Sequence, residues 1–182
     1  EGWEADGFTV VGASITRDYE HYYLASYRTY TSYDRYLATG PYNFGFLNKF
    51  PNLVEHFPYQ DGLLVTYWDT SQNDNNTSEH PGQGLVLPVD SHPAPLYRVD
   101  GAPGRSRVQV YDAPFSTQRT DRVVLHVNSV PSVIPSQRAV SQFDDTQQYW
   151  YPEIPLTGVK LPAVGVKMRV LQQGATTMRL RL

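Results

Sequence analysis

In LLVTYWDTSQNDNNTSEHPGQGLVLPVD, residues 63–90, two short apolar runs each stop on a carboxylate. The first, Leu63-Leu64-Val65-Thr66-Tyr67-Trp68, ends on Asp69; the second, Leu85-Val86-Leu87-Pro88-Val89, ends on Asp90. Both are rich in β-branched, aromatic and aliphatic residues and are bounded by Gly, Asn and Asp, the pattern of short strands. The connection between them carries Asp74-Asn75-Asn76 and His80-Pro81-Gly82. A carboxylate at the end of a buried strand is costly to desolvate unless it is hydrogen-bonded, ion-paired or bound to a cation. Asp69 and Asp90 therefore each call for a partner.

The same punctuation continues in both directions. Phe8-Thr9-Val10-Val11 lies between Gly7 and Gly12 and predicts a strand. Tyr22–Tyr30 is rich in Tyr and Thr without helix caps and reads as another. Tyr33–Leu47 holds Gly40-Pro41 and Gly45 and is expected to be a loop, as is the Pro-rich stretch Ser91–Gly104. Val108 and Val110 alternate with Gln109 and Tyr111, and Val123, Leu125 and Val127 with Arg122, Val124 and His126, so both are expected as half-buried strands. At the end of the chain Val164, Val166, Met168 and Val170 share one strand face against Lys167 and Arg169. Met178, Leu180 and Leu182 alternate with Arg179 and Arg181 after Gln172-Gln173-Gly174, which predicts an antiparallel hairpin. No window sustains a capped 3.6-residue apolar period, and no repeat recurs at fixed spacing. The expected fold is all-β: an antiparallel β-sandwich or jelly-roll-like domain with long irregular loops.

The 182 residues suit one such domain, and 40% hydrophobic with 13% aromatic content can fill a core. The net charge of −3 makes no case for a nucleic-acid partner. Residues 1–90 hold four Lys and Arg against twelve Asp and Glu, whereas residues 91–182 hold eleven against six. Two differently charged solvated surfaces account for that split. There is no cysteine, hence no disulfide framework or thiol chemistry. No apolar run approaches the ~18 residues of a membrane span. The chain opens Glu1-Gly2-Trp3 without Met or signal peptide and reads as a piece of a longer polypeptide.

No two of His21, His56, His80, His92 and His126 lie four apart, so no H-E-x-x-H site exists; no nucleophile elbow, P-loop or dinucleotide fingerprint is present either. No catalytic residue is assigned. Asp69, Asp74, Asn75 and Asn76 offer the carboxylate and amide oxygens that calcium takes. The same four residue types also build Asx-turns, in which the side chain binds nearby backbone N–H groups, and both readings stand. His80 and His92, each before a proline, could join Asp69 or Asp90 around zinc, although lone loop histidines more often serve as surface or hydrogen-bonding residues. Trp3, Trp68, Trp150 and the Tyr-rich segment 19–36 either stack on sugar rings or fill core and cross-strand positions. Asn75-Asn76-Thr77-Ser78 contains two overlapping glycosylation sequons.

A longer series of motifs carries a resemblance. Glu20-His21-Tyr22-Tyr23-Leu24-Ala25-Ser26-Tyr27-Arg28, Tyr33-Asp34, Gly40-Pro41-Tyr42-Asn43-Phe44-Gly45 and Val54-Glu55-His56-Phe57-Pro58-Tyr59-Gln60-Asp61-Gly62-Leu63-Leu64 precede Asp69, Asp74-Asn75-Asn76, His80-Pro81-Gly82 and Leu87-Pro88-Val89-Asp90. Together they resemble the region downstream of the catalytic domain in immune inhibitor A metallopeptidases, secreted bacterial zinc endopeptidases, in the versions of Gram-positive, actinomycete-like enzymes. The similarity runs from about residue 18 to the C-terminus. Residues 1–12 resemble the closing strand of the jelly-roll domain that precedes this region. The resemblance therefore implies 1–17 as that closing strand with its linker and 18–182 as a C-terminal β domain. It also implies a secreted, extracellular, non-catalytic accessory domain, with the catalytic and jelly-roll domains of the same precursor as partners. The family's zinc belongs to the catalytic domain, and no residue here matches its ligands. Ser26 stands where the family often has a carboxylate, as in E-Y-Y-L-A-E. The alternative role is a module binding carbohydrate or cell wall that targets the enzyme to a surface polysaccharide.

Overall fold

A computed structural model describes residues 3–5, 8–11, 21–39, 57–128 and 130–182. The described residues form ten strands, β1 (Trp3–Ala5), β2 (Phe8–Val11), β3 (His21–Arg28), β4 (Gly62–Asp69), β5 (Val86–Val89), β6 (Val123–Val127), β7 (Val130–Ile134), β8 (Gln142–Asp144), β9 (Lys167–Gln173) and β10 (Met178–Arg181). All pairings are antiparallel. One sheet has the order β1-β2-β3-β4-β5, a second β10-β9-β8, and β6 and β7 form a separate hairpin. The fold is all-β, as expected.

Strict alternation builds the centre of the large sheet. Leu63, Val65 and Tyr67 of β4 point inward, while Leu64, Thr66 and Trp68 point to the other face and are half-buried. In register, Val65 faces Val89 and Tyr67 faces Leu87 across β4–β5, and Tyr23 faces Tyr67 across β3–β4. Pro88 is tolerated because β5 is an edge strand and needs no ladder N–H on its open side. On the opposite sheet Met168 and Val170 of β9 and Phe143 of β8 face inward. These side chains meet in one core, with Tyr23 and Phe143 in edge contact at 5.1 Å between ring centres. Phe57, Val108, Tyr111, Val123 and Ile134 form a second cluster under the β6–β7 hairpin.

Three segments depart from the sequence expectation: besides the two below, β9 begins only at Lys167, so Val164 and Val166, expected on its inner face, precede the strand and Val164 is exposed. Val108–Tyr111, expected as a strand, lies on a helical turn, α2 (Ser106–Gln109), and just beyond it. Val108 and Tyr111 are three apart and both buried, which fits one helix face, and a run this short matches either period. Tyr33 and Asp34, expected in a loop, lie in a 3-10 turn at Ser32–Asp34 that leads into α1 (Arg35–Thr39). The rest of that expected loop, residues 40–47, and the side chain of Trp3 lie outside the described residues.

The segment Tyr111–Ser116 positions the site. All six residues are buried without belonging to a strand. Its backbone is instead satisfied by three separate stretches: residues 60–63, through Gln60 N–H to the Tyr111 carbonyl (2.8 Å) and reciprocal bonds between Leu63 and Phe115 (2.9 Å); Ser91, whose N–H binds Ala113 (3.0 Å); and Val140, which accepts the Ser116 N–H (2.8 Å). Gly62 permits that approach, since a Cβ there would stand 2.6 Å from the Phe115 carbonyl oxygen.

Candidate metal centre

β5 delivers Asp90, Ser91 and His92 directly against the Tyr111–Ser116 segment. Ser91 is locked there by its N–H to Ala113 and by its hydroxyl, 2.8 Å from the Asp112 carbonyl and 3.2 Å from that of Pro114. The acid that ends the second apolar run thus lies beside one that no sequence pattern marked. Asp90 is 3% exposed and Asp112 0%. One donor atom each from Asp90, His92 and Asp112 lies within 4.8 Å of the others, the one such grouping of His and carboxylate side chains among the described residues.

The donor atoms are held from outside. Asp90 Oδ1 accepts the His92 backbone N–H (2.8 Å), and Asp112 Oδ2 accepts Gln137 Nε2 (2.6 Å). His92 Nε2 donates to the Arg138 carbonyl at 2.8 Å; a carbonyl can only accept, so this nitrogen carries the proton. Nδ1 faces Ser91 Oγ at 2.9 Å, the Asp112 carbonyl at 3.2 Å and Asp112 Oδ2 at 3.5 Å. Asp112 Oδ1 is the buried side-chain oxygen that has no hydrogen-bond partner among the described residues.

Two carboxylates at this depth lack compensation. Burial pushes the Asp90 carboxyl up to about 7; the neighbouring Asp112 charge adds to the effect, and the His92 N–H and imidazole oppose it. Burial likewise raises Asp112 to about 7, against the pull of its own backbone N–H and Gln137. Among the described residues no Lys or Arg forms an ion pair with either acid.

The loop after Asp69 is built differently. Asp69, 8% exposed, accepts the Ser71 N–H (3.0 Å) and hydroxyl (2.5 Å) on Oδ1 and has His21 Nδ1 at 3.4 Å. Asp74 Oδ1 accepts the Asn76 N–H at 2.7 Å and lies 3.0 Å from His80 Nε2. Asn75 Oδ1 accepts the Val86 N–H at 2.7 Å, and Asn76 Oδ1 the Ser78 hydroxyl at 2.5 Å. Each of the four side chains therefore has an oxygen engaged by a donor of its own loop or of β5, and Asp69 and Asp74 do so in the manner of Asx-turns, accepting the N–H two residues ahead. His80 closes this loop, with Nδ1 donating to Gln83 at 2.7 Å, and the geometry groups it with Asp74 rather than with His92. Hydrogen bonding holds Asp74 below the usual carboxylate range, first from the Asn76 N–H and then from His80; the His80 ring is raised, first by its bond to Gln83.

The aromatic residues divide between core and surface. Tyr149 is in the core. Trp150 is half-buried, with Lys160 Nζ 4.1 Å from its ring centre and its Nε1 donating to Pro155 at 3.3 Å. A Cβ on Gly82 would stand 2.7 Å from that indole. Trp68 stacks on Tyr22 across β3–β4 at 5.5 Å.

The family described as "Immune inhibitor A-like metallopeptidase, VEG domain" matches residues 16–180. Immune inhibitor A of Bacillus thuringiensis subsp. alesti is 31% identical over 175 residues, which cover 92% of this chain and 23% of that protein. The pre-pro-metalloprotease PrtV of Vibrio cholerae serotype O1 is 32% identical over 173 residues, covering 92% of this chain and 17% of PrtV. The chain spans less than a quarter of the curated relatives it matches. Among the described residues no helix is long and apolar enough to cross a membrane. A family match across most of the chain and two relatives above 30% identity agree: the chain belongs to the VEG-domain family of immune inhibitor A-like metallopeptidases.

Proposed function

We propose that this chain is a non-catalytic accessory domain of a secreted bacterial metallopeptidase, which supports or positions the catalytic domain of its precursor. The observation that carries this reading is coverage. Nearly all of the chain aligns with a small share of each relative, 23% of immune inhibitor A and 17% of PrtV. The H-E-x-x-H pattern, which supplies two zinc ligands and a general base in many metallopeptidases, does not occur in its sequence. Its partners are then the catalytic and jelly-roll domains of the same polypeptide, and its location is extracellular.

The test is a protease assay on the purified 182-residue chain with and without zinc, followed by binding to the separately produced catalytic region. Inert material that binds the catalytic region and raises its thermal midpoint supports the proposal. Chelator-sensitive proteolysis by the chain alone sinks it. The targeting alternative draws less support, because one face of the Trp150 ring is already taken by Lys160. Retention on peptidoglycan or an insoluble polysaccharide, lost on Trp150→Ala, would reverse that preference.

A further inference from the structure

We propose that Asp90, His92 and Asp112 form a binding site for a divalent transition-metal ion of the zinc class, which clasps the end of β5 to the buried segment 111–116. The inference is independent of the accessory-domain reading.

Three donors of suitable type converge: two carboxylates and one imidazole within 4.8 Å. Zinc ligands stand about 2.0–2.2 Å from the ion, so donors of a tetrahedral site lie ~3.4 Å apart, and closing the present spacing draws them together by at most about 1.4 Å. An oxygen-only cage would point to calcium or magnesium; the imidazole shifts the preference to zinc and its neighbours.

Asp112 Oδ1 supplies the independent sign of a missing partner. It is the buried side-chain oxygen left unbonded among the described residues, on a residue with no exposed surface. Such an atom is costly in a native fold and needs an occupant or a proton.

The ring of His92 is set up as a ligand. Its Nε2 proton is committed to the Arg138 carbonyl, the outer hydrogen bond that metal-binding histidines typically make. Nδ1 lies on the side of Asp112, 3.2 Å from its carbonyl and 3.5 Å from Oδ2, and takes the ion on release of any proton it shares with them. The Ser91 hydroxyl at 2.9 Å does not block it, because its proton has two other acceptors, the carbonyls of Asp112 and Pro114. Gln137 and the His92 N–H orient one oxygen of each acid and leave the second oxygen to the ion. Three protein ligands leave a fourth position for water. A cavity of about 50 Å³, lined in part by His92, Thr120 and Asp121, opens beside the His92 residue.

The experiment uses the 182-residue chain stripped of metal. Zinc is titrated by calorimetry, cobalt(II) by visible absorption, and thermal unfolding is followed in zinc, calcium or neither. Expected are one zinc per chain, a cobalt band of four- or five-coordinate type, and a rise in Tm of about 5–10 °C at hundredfold excess over Kd. Calcium at the same concentration shifts nothing. Asp112→Asn and His92→Gln abolish the cobalt band and the zinc shift, whereas Asp74→Asn, in the His80 loop, retains both. The parent titration needs no variant to fold: absence of stoichiometric zinc binding by the parent overturns the site. Zinc binding that persists in Asp112→Asn and His92→Gln, or is lost in Asp74→Asn, also overturns it by placing the ion elsewhere.

Discussion

His92 Nδ1 lies 3.5 Å from Asp112 Oδ2, across 20 residues of sequence, with the carboxylate fully buried and the ring side chain 10% exposed. Two tethers enforce the contact. The Ser91 N–H binds Ala113, and the Gln137 amide holds the Asp112 carboxylate from the far side. The pair is therefore a fixed feature of the packing between β5 and the 111–116 segment.

The energetic sign at Asp112 depends on the ion. In metal-free buffer at pH 8, Asp112→Asn removes one of two neighbouring buried acids and keeps an oxygen for Gln137. Its Tm is expected to equal or exceed that of the parent. In saturating zinc the order reverses, because only the parent gains ligand stabilisation. Calorimetric scans of both proteins in both buffers check this. A large loss of Tm for the variant without metal would show that the carboxylate is needed for packing alone.

In the Asp69 loop, calcium is expected to leave the midpoint unchanged, because Asp69 and Asp74 turn back on N–H groups of their own loop and belong to no group of three converging His or carboxylate donors among the described residues. Asp69→Ala is expected to cost about 1 kcal/mol, since the Ser71 N–H and hydroxyl lose their acceptor at a part-buried contact. Urea unfolding measures the loss. A calcium-dependent midpoint abolished by Asp69→Asn would restore the cation reading of this loop.

Gln109 holds the Pro-rich connection against α2. It is 2% exposed, yet its amide is fully engaged: Nε2 donates to the carbonyls of Leu96 (2.9 Å) and Gly104 (3.0 Å), and Oε1 accepts the Leu96 N–H (2.8 Å). Gln109→Leu keeps the bulk but strands those backbone groups. A loss of about 2–3 kcal/mol is expected in denaturant titration. A loss under about 0.5 kcal/mol would mean that water replaces the amide.

Gly158 and Gly101 separate strain from collision. Both have positive φ, +86° and +80°. At Gly158 a Cβ would stand 2.3 Å from the Tyr149 carbonyl oxygen, whereas at Gly101 nothing lies within 4 Å. Gly101→Ala is expected to cost only the left-handed backbone penalty, about 1 kcal/mol. Gly158→Ala adds displacement of the Trp150–Gly158 bridge and should cost about 3 kcal/mol or more. Equal losses at the two positions would refute the difference.

Acid sensitivity should trace in part to Asp144. Lys167 Nζ at 2.7 Å, then the Thr146 hydroxyl at 2.6 Å, lower its carboxyl from 3.8 to about 2. A depressed carboxyl stabilises the fold at pH above its unfolded value and loses that contribution as pH falls through the folded value. The Tm difference between parent and Asp144→Asn is thus expected to be full at pH 6 and to shrink between about pH 4 and pH 2. Lys167 is largely solvated, so the difference should also fall with salt. A difference constant from pH 6 to pH 2 would assign the effect to the Thr146 contacts instead.

Alternation along the strand made β4 and the β9–β10 hairpin legible, because the side-chain period of two is written directly in Leu63-Val65-Tyr67 and Met168-Val170. Even there the face needed the fold: Trp68, open in sequence between a sugar platform and a core or cross-strand position, stacks on Tyr22 across β3–β4. The motif series carried the family, and the two strand-end acids were visible as groups in need of partners. What those partners are was settled only in three dimensions. Asp69 and Asp74 turn back on N–H groups two residues ahead, a choice made by local backbone angles that composition does not encode. Asp90 and His92 meet Asp112, which sits in a segment without periodicity, whose burial comes from hydrogen bonds to residues 60, 63, 91 and 140. Those bonds join stretches distant in sequence. The depth of Asp112, and with it the candidate metal centre, exists only once the sheets and their connections have packed.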